Sequence, residues 1–365
     1  MRSIEEKMLV ISTMYPTKRH TVFGVFIKNQ VEQVRNRGFP VDVLAIKDPR
    51  MGKVNVIRKY SKLLLQAVGK FLKQGRSYQI VHAHYLFPSG WIGLWFKRWF
   101  KAKLIVTAHG GDIDKMARLH PWIYKQTKRV LEQADEVIVV GAGLKQAVLE
   151  EFQIKQEKVH LLNMGVDRTV FHPKPKEQAR KELQLHATNK IILFVGNIIE
   201  AKGLSELIAA FHQMQATQKN LELRLIGPKK DPAFYEVLVQ SIEQDKIKGV
   251  TFHEPKQQNE IATWMTAADL FVLPSYIEGF GLVALEAMAC HTPVVGTAVG
   301  GLQTLLADNA GMTVAPKQIE PLRDAMTNVL TDPDVSQMLI HYGDKRAQEN
   351  DQERLIDSLI TIYRR

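Results

Sequence analysis

The segment PSYIEGFGLVALEAMA sets two carboxylates, Glu278 and Glu286, on either side of seven residues, where an apolar strand-like run, DLFVLPS, gives way to a helical run, LVALEAMAC. A helix starting near Gly281 presents free backbone N–H groups and a partial positive charge beyond the strand end, a ready anion site. Gly279 and Gly281 carry no side chain, so a phosphate can approach the backbone closely. Glu286, more than one helical turn further on, is placed to accept hydrogen bonds from a diol such as ribose; Glu278, ahead of the turn, could take sugar hydroxyls. A capping acid followed by a helix-surface acid accounts for the spacing equally well.

Three further junctions have the same character. In FVGNIIEAKGLSEL, Gly196 ends a strand and Lys202-Gly203 open a helix. A lysine beside a helix amino end pairs naturally with diphosphate oxygens, though alone it reads as an exposed turn lysine. Gly24 closes the first strand-to-helix loop and admits a phosphate. In TAHGGD, His109 stands where a strand turns to loop; a neutral imidazole there can bond a sugar hydroxyl or polarise a leaving group. A core histidine satisfied by backbone is the competing reading.

These junctions need strands and helices in alternation, and the chain supplies them. MLVIST, VDVLAI, QIVHAH, AKLIVTAH and EVIVVG are short, apolar and β-branched, separated by helical patterns such as VFIKNQVEQVRNRG, with Val25, Phe26, Val31 and Val34 on one face. After the turn-rich NMGVDRTVFHPKPKEQ the pattern restarts with KIILFVGN, LELRLIG, VTFHE, DLFVLPS, PVVGTA and MTVAP. Two α/β domains, each a doubly wound parallel sheet, are expected, with ligands beyond the carboxyl ends of strands. The predicted bounds are 1–172 for the first domain, 173–188 for a linker, 189–345 for the second domain, and a final helix within 346–365.

A chain of 365 residues, 45% hydrophobic and 24% charged, suits two globular domains. Its one cysteine, Cys290, lies in an apolar run and reads as a small buried hydrophobe in a reducing cytoplasm. The start, MRSIEEKMLVISTMYP, lacks the form of a secretory signal, and no run approaches the roughly 18 apolar residues of a membrane span. Charge is lopsided: 29 basic against 14 acidic residues in 1–170, and 20 against 24 in the remainder, with no acid between Asp48 and Asp112. Such a half implies an anionic partner surface, or simply a solvated basic face.

Gly24 on the first loop, His109 in HGGD, Lys202-Gly203 and the Glu278/Glu286 pair, in this order, resemble family 4 of the retaining glycosyltransferases. PSYIEGFGLVALEAMACHTPVVGTAVGGL is close to that family's pattern throughout, and LLNMGVD resembles its interdomain segment; the similarity runs from about residue 8 to about 345. The resemblance implies the GT-B fold, two Rossmann-like domains facing a central cleft, and retention of configuration, with the departing diphosphate accepting the acceptor's proton. It implies that Glu278 touches the hydroxyls of the transferred sugar, that Phe280, Gly281 and Leu282 bring backbone N–H groups to sugar and phosphate, and that Glu286 binds the ribose. Lys202 would neutralise the diphosphate, Gly24 close over it, and His109 contact the sugar, making His109, Lys202 and Glu278 the catalytic set; Glu254 to Gln257, with Lys256, would lie along the base. Two departures stand out: Asn197 where most relatives carry arginine, and Phe23-Gly24 where many have a glycine pair. The final helix, QERLIDSLITIYRR, would brace the first domain.

The expected substrates are a nucleotide-sugar, uridine being favoured by family frequency, and a glycan or lipid-linked acceptor of envelope polysaccharide or glycolipid assembly. No cofactor or metal is expected, and the enzyme would sit in the cytoplasm on the inner face of the membrane. Asp112-x-Asp114 is a weak metal pair, repeated in a linker as Asp332-x-Asp334, and His82-x-His84 lacks a third ligand. VIVVGAGLKQ resembles the opening of a dinucleotide fingerprint but has Gln146 at the third glycine position, which keeps an NAD-dependent oxidoreductase as an alternative. A non-catalytic, basic membrane-binding module is the other, since WIGLWFKRWFKAK carries Trp91, Trp95 and Trp99 among basic residues; of these, Trp91 and Trp95 are expected to pack on the sheet. Nucleic acid is not expected as a partner, for want of a recognition motif.

Overall fold

Short β-branched runs without polar alternation need cover on both faces, which helical crossovers between parallel strands supply. The computed structural model describes residues 6–365 except 21 and 51. Thr21 of the first loop and the first five residues, used in reading the amino terminus, lie outside that range. The chain divides into two compact units, Met1–Met164 with Glu353–Arg365, and Gly165–Gln352.

The first unit holds β1 (Met8–Ser12), β2 (Val41–Ala45), β3 (Ile80–His84), β4 (Lys103–Ala108), β5 (Glu136–Val139) and β6 (Val159–Leu161), all parallel, in the order β2-β1-β3-β4-β5-β6. Every residue of β1 and β3 is buried. The edge strand β6 has only three residues, with Leu161 exposed, too little apolar pattern to be read as a strand from sequence. The first helix, Val25–Asn36, buries Ile27, Gln30, Val31 and Val34, a face rotated from the expected one so that Phe26 is free for another contact. Helix Trp91–Phe100 leaves Trp91 and Trp95 partly buried against each other, rings 5.1 Å apart, and Trp99 exposed.

The second unit holds β7 (Lys190–Val195), β8 (Leu221–Ile226), β9 (Val250–His253), β10 (Leu270–Leu273), β11 (Val294–Thr297) and β12 (Met312–Val314), parallel in the order β12-β11-β10-β7-β8-β9. Between β11 and β12 the chain inserts helix Gly300–Leu306, the crossover that two parallel neighbours require.

Two expected boundaries are corrected. Residues 173–188 are not a linker but part of the second unit: Pro175 precedes a helix, Lys176–Glu182, whose buried Arg180 donates to the Ala267 carbonyl at 3.1 Å and to Asp269 at 2.6 Å. Position 346 falls inside a helix, Pro333–Glu349. The next helix, Gln352–Arg364, groups with the first unit from Glu353 on and buries Ile356, Leu359, Ile360, Ile362 and Tyr363 among Met8, Val10, Ile27 and Val31.

Candidate functional site

In a doubly wound sheet, ligands collect beyond the carboxyl ends of the strands where the strand order reverses. In the second unit that point lies between β7 and β10, and the segments leaving those strands carry Asn197, Lys202 and Glu278. After β7 the chain makes a short turn, Glu200–Lys202, ending at Gly203 with φ 67°. A Cβ at Gly203 would collide with the Pro274 carbonyl, so only glycine lets the two segments come this close. A backbone bond from Tyr276 N–H to the Ala201 carbonyl, 2.9 Å, fixes their register. Lys202 Nζ consequently donates to Glu278 Oε2 at 2.6 Å, and Ser275 Oγ donates to the same oxygen at 3.3 Å. The half-buried Asn197 lies on the same segment.

Helix Leu282–Ala289 starts immediately beyond, with Gly281 in the left-handed region at its amino end and no side chain capping it. Its first N–H groups therefore remain to be satisfied by something else. Phe280 and Leu282 turn toward the core, leaving the backbone as the polar feature of that turn. One turn along the helix Glu286 is buried, and burial pushes its carboxyl up to about 8, against a hydrogen bond from Gln258 that acts to lower it. Lys256 is not drawn to Lys202: it follows the edge strand β9 and pairs with Glu260 at 3.2 Å. Gln258, two residues on, is the group that links this loop to Glu286. Gly300 and Gly301 complete the floor, with Gly301 N–H donating to the Glu278 carbonyl at 3.2 Å. A side chain on either would strike the backbone of Glu278 or Gly279. From sequence they read only as part of the family pattern, although a glycine pair just after a strand is the available signal.

In the first unit the order reverses between β1 and β3, and His109, Gly24 and several unpredicted residues meet at those ends and at that of β4. Gly24 (φ 77°) lies so close to Met14 that a Cβ would be 2.8 Å from its carbonyl carbon. It starts the helix that places the Phe26 ring 5.4 Å from the His109 ring. Tyr85 lies 4.7 Å from the same imidazole, ring to ring, and its hydroxyl donates to Met14 Sδ at 3.3 Å. Burial holds His109 down at about 3, so its ring is neutral at physiological pH.

Asp112 is a buried carboxylate that accepts from the backbone N–H of His109 at 3.1 Å and of Leu86 at 3.2 Å, fixing the β3 and β4 exits together. Burial raises it to about 6. His84 Nδ1 lies 3.2 Å from His109 Nε2, while His84 Nε2 is buried without a partner. A stranded lone pair is tolerated better than a stranded N–H. The network therefore assigns the proton to His84 Nδ1, which donates to His109 Nε2 and leaves the proton of His109 on its Nδ1. His82 has both nitrogens occupied, by Tyr363 Oη at 2.8 Å and Thr107 Oγ1 at 2.7 Å, which makes it structural.

The second unit thus combines a cation, an uncapped helix and two carboxylates, the set needed to hold a diphosphate with hydroxyls on both sides; the first presents one neutral imidazole donor. Residues 175–346 match the family model for glycosyl transferases group 1, and residues 24–170 match that for glycosyltransferase family 4. A Bacillus subtilis chain provisionally assigned as the teichuronic acid biosynthesis glycosyltransferase TuaC is 26% identical, over 88% of this chain and 88% of its own. The D-inositol 3-phosphate glycosyltransferase of Thermobispora bispora is 32% identical over 70% of this chain, a match spanning 63% of that enzyme. Among solved structures, a sucrose-phosphate synthase from Thermosynechococcus elongatus is similar over 98% of both chains, with a TM-score of 0.83 and 25% identity.

Proposed function

The chain belongs to glycosyltransferase family 4, with the GT-B fold, and from that membership we propose that it moves a sugar, with retention, from a uridine diphosphate donor to a glycan or lipid-linked acceptor of the cell envelope. The observation that carries the donor half is the Lys202–Glu278 pair beside the uncapped start of helix Leu282–Ala289, at the point where the second sheet reverses. A diphosphate entering there exchanges Glu278 for phosphate oxygens as the partner of Lys202 and takes up the first N–H groups of the helix. Glu278, released, accepts from hydroxyls of the sugar, and Glu286 accepts from the ribose. Asn197 supplies a neutral amide where relatives have a cation, which leaves Lys202 with more of the charge to carry, and Lys256 lies along the base.

In the reaction the bond from the anomeric carbon to the phosphate oxygen breaks, and the acceptor hydroxyl bonds to that carbon on the same face. Its proton passes to the departing phosphate oxygen. Charge builds on the diphosphate, so Lys202 and the helix amides act where stabilisation counts most, and no metal is invoked. In the first unit, His109 Nδ1–H donates to a sugar hydroxyl, and Gly24 lets the backbone of its loop approach phosphate. The envelope setting draws support from the Bacillus relative and from the basic first half, which favours a membrane-borne or phosphorylated acceptor at the inner face of the membrane, in the cytoplasm. Lys202→Ala is expected to lower turnover at saturating nucleotide-sugar by roughly two orders of magnitude or more. A variant that keeps most of its turnover, measured as release of nucleoside diphosphate, would overturn this account.

A further inference from the structure

Helix Lys53–Gln74, which follows β2 in the first unit, spans 22 residues and buries only Leu63 and Ala67. A helix covering a sheet ordinarily carries one apolar stripe, turned inward. This one carries a second. Val54, Ile57, Leu65 and Leu72 are exposed at 79%, 68%, 74% and 76%, and Leu64 and Val68 are also exposed. At roughly 100° per residue all six fall within an arc about 100° wide, so they form one continuous side of the helix. Trp99, on helix Trp91–Phe100, extends the patch: its ring lies 6.5 Å from that of Phe71, and it is 71% exposed.

Beside the apolar side runs a basic one. Arg58, Lys62 and Lys73 fall on the next stripe, and Lys62 and Lys73 form no ion pair among the described residues. No acid occurs between Asp48 and Asp112, so these helices carry none of their own. From outside them Asp48 pairs with Arg58 at 3.2 Å, Asp42 with Lys70 at 3.1 Å and Asp135 with Lys97 at 2.6 Å, which leaves Lys62 and Lys73 as the charges of the row without an acid beside them among the described residues. No described helix is long and apolar enough to cross a membrane. An exposed apolar stripe of this length marks a surface that is covered in use. Its lysine and arginine border and its marginal tryptophan select the occupant. A bilayer interface offers acyl boundary for the stripe, anionic headgroups for the basic row and a level at which indole sits well. A protein partner would have to supply its own acidic rim.

We propose that the outward side of Lys53–Gln74, with Trp99, docks the first unit on an anionic phospholipid surface. This deepens the reading of a membrane-borne acceptor by naming the surface that meets the lipid, and it stands on different residues from the nucleotide-sugar site. The test uses the full chain and sedimentation with phosphatidylcholine vesicles containing or lacking 30% phosphatidylglycerol. The wild-type chain is expected to bind only the anionic vesicles, more weakly as salt rises. The triple variant Ile57→Gln, Leu65→Gln, Leu72→Gln should bind roughly tenfold or more weakly, and Lys62→Gln with Lys73→Gln should also weaken binding and flatten its salt dependence. All five residues are exposed, so melting temperature and nucleoside diphosphate release with a short soluble acceptor should stay at wild-type values. Vesicle binding by the triple variant equal to wild type, or no wild-type binding to anionic vesicles, would overturn the proposal. So would a wild-type dimer that the triple variant abolishes without any vesicle binding, which would make the stripe a contact between copies. Vesicle binding without nucleoside diphosphate release would leave the docking surface standing and sink the transferase reading instead.

Discussion

In its proposed role Glu286 would meet the ribose in the wrong protonation state. Buried on its helix and raised to about 8, it is mostly protonated at neutral pH in the free protein, whereas the ionised form accepts more strongly from a ribose diol. Affinity for the nucleotide-sugar should therefore improve as pH rises from about 6 to about 8, at most roughly tenfold per unit, and level off above. In the free protein the sign is opposite. The unfolded carboxyl ionises near its ordinary value and the folded one near 8, so stability declines as pH rises between the two. Calorimetric titration of a nucleotide-sugar across that range should show the slope, and Glu286→Gln should flatten it; an unchanged slope in the variant would assign the titration elsewhere. Glu278 and Lys202 are legible as candidates in sequence because each stands at a strand-to-helix junction, and Glu286 because it follows one by a helical turn. Asp112 and His84 are not. From sequence Asp112 is half of a weak metal pair and His84 half of a His-x-His strand pair. Asp112 takes the His109 N–H within its own loop, but its bond from Leu86 and the approach of His84 to His109 exist only because β3 and β4 are neighbours.

At the scale of elements, the close approach of the segments after β7 and β10 brings a lysine to a glutamate 76 positions away. Gly203→Ala would drive a methyl group into the Pro274 carbonyl and part the two segments. A misplacement of about 1 Å at such a site costs on the order of a hundredfold in turnover. Gly69→Ala is the control: Gly69 lies inside a helix with nothing near its missing Cβ. It should raise stability by about 0.5–1 kcal/mol and leave turnover unchanged. Equal turnover in the two variants would show that the approach at Gly203 does not set the site. Most strands are readable from their β-branched runs. The exceptions have physical causes: β6 is three residues long on an edge, and residues 173–188 look like a linker because two prolines mark a turn, while the burial of Arg180 that ties them down depends on Asp269.

Across the whole molecule the two units divide the chemistry by charge. The first carries the basic excess, the outward apolar stripe and the neutral His109; the second carries the acids, the lysine and the uncapped helix that suit a nucleoside diphosphate. The first unit also takes in the carboxyl-terminal helix, whose Ile356, Leu359, Ile360 and Tyr363 are part of its core. That attachment follows from an apolar face in QERLIDSLITIYRR, but which unit receives it is settled by packing rather than by local pattern. In the proposed function the second unit binds a sugar nucleotide through Lys202, Glu286 and the start of helix Leu282–Ala289. The most direct test of that binding is a thermal-unfolding screen of the full chain with uridine, guanosine and adenosine diphosphate sugars, alongside NAD and plain nucleotides. The account predicts that one sugar nucleotide raises the melting temperature, and that Lys202→Ala and Glu286→Ala each remove most of the rise. Stabilisation by NAD alone, by none of the compounds, or undiminished in both variants would contradict it.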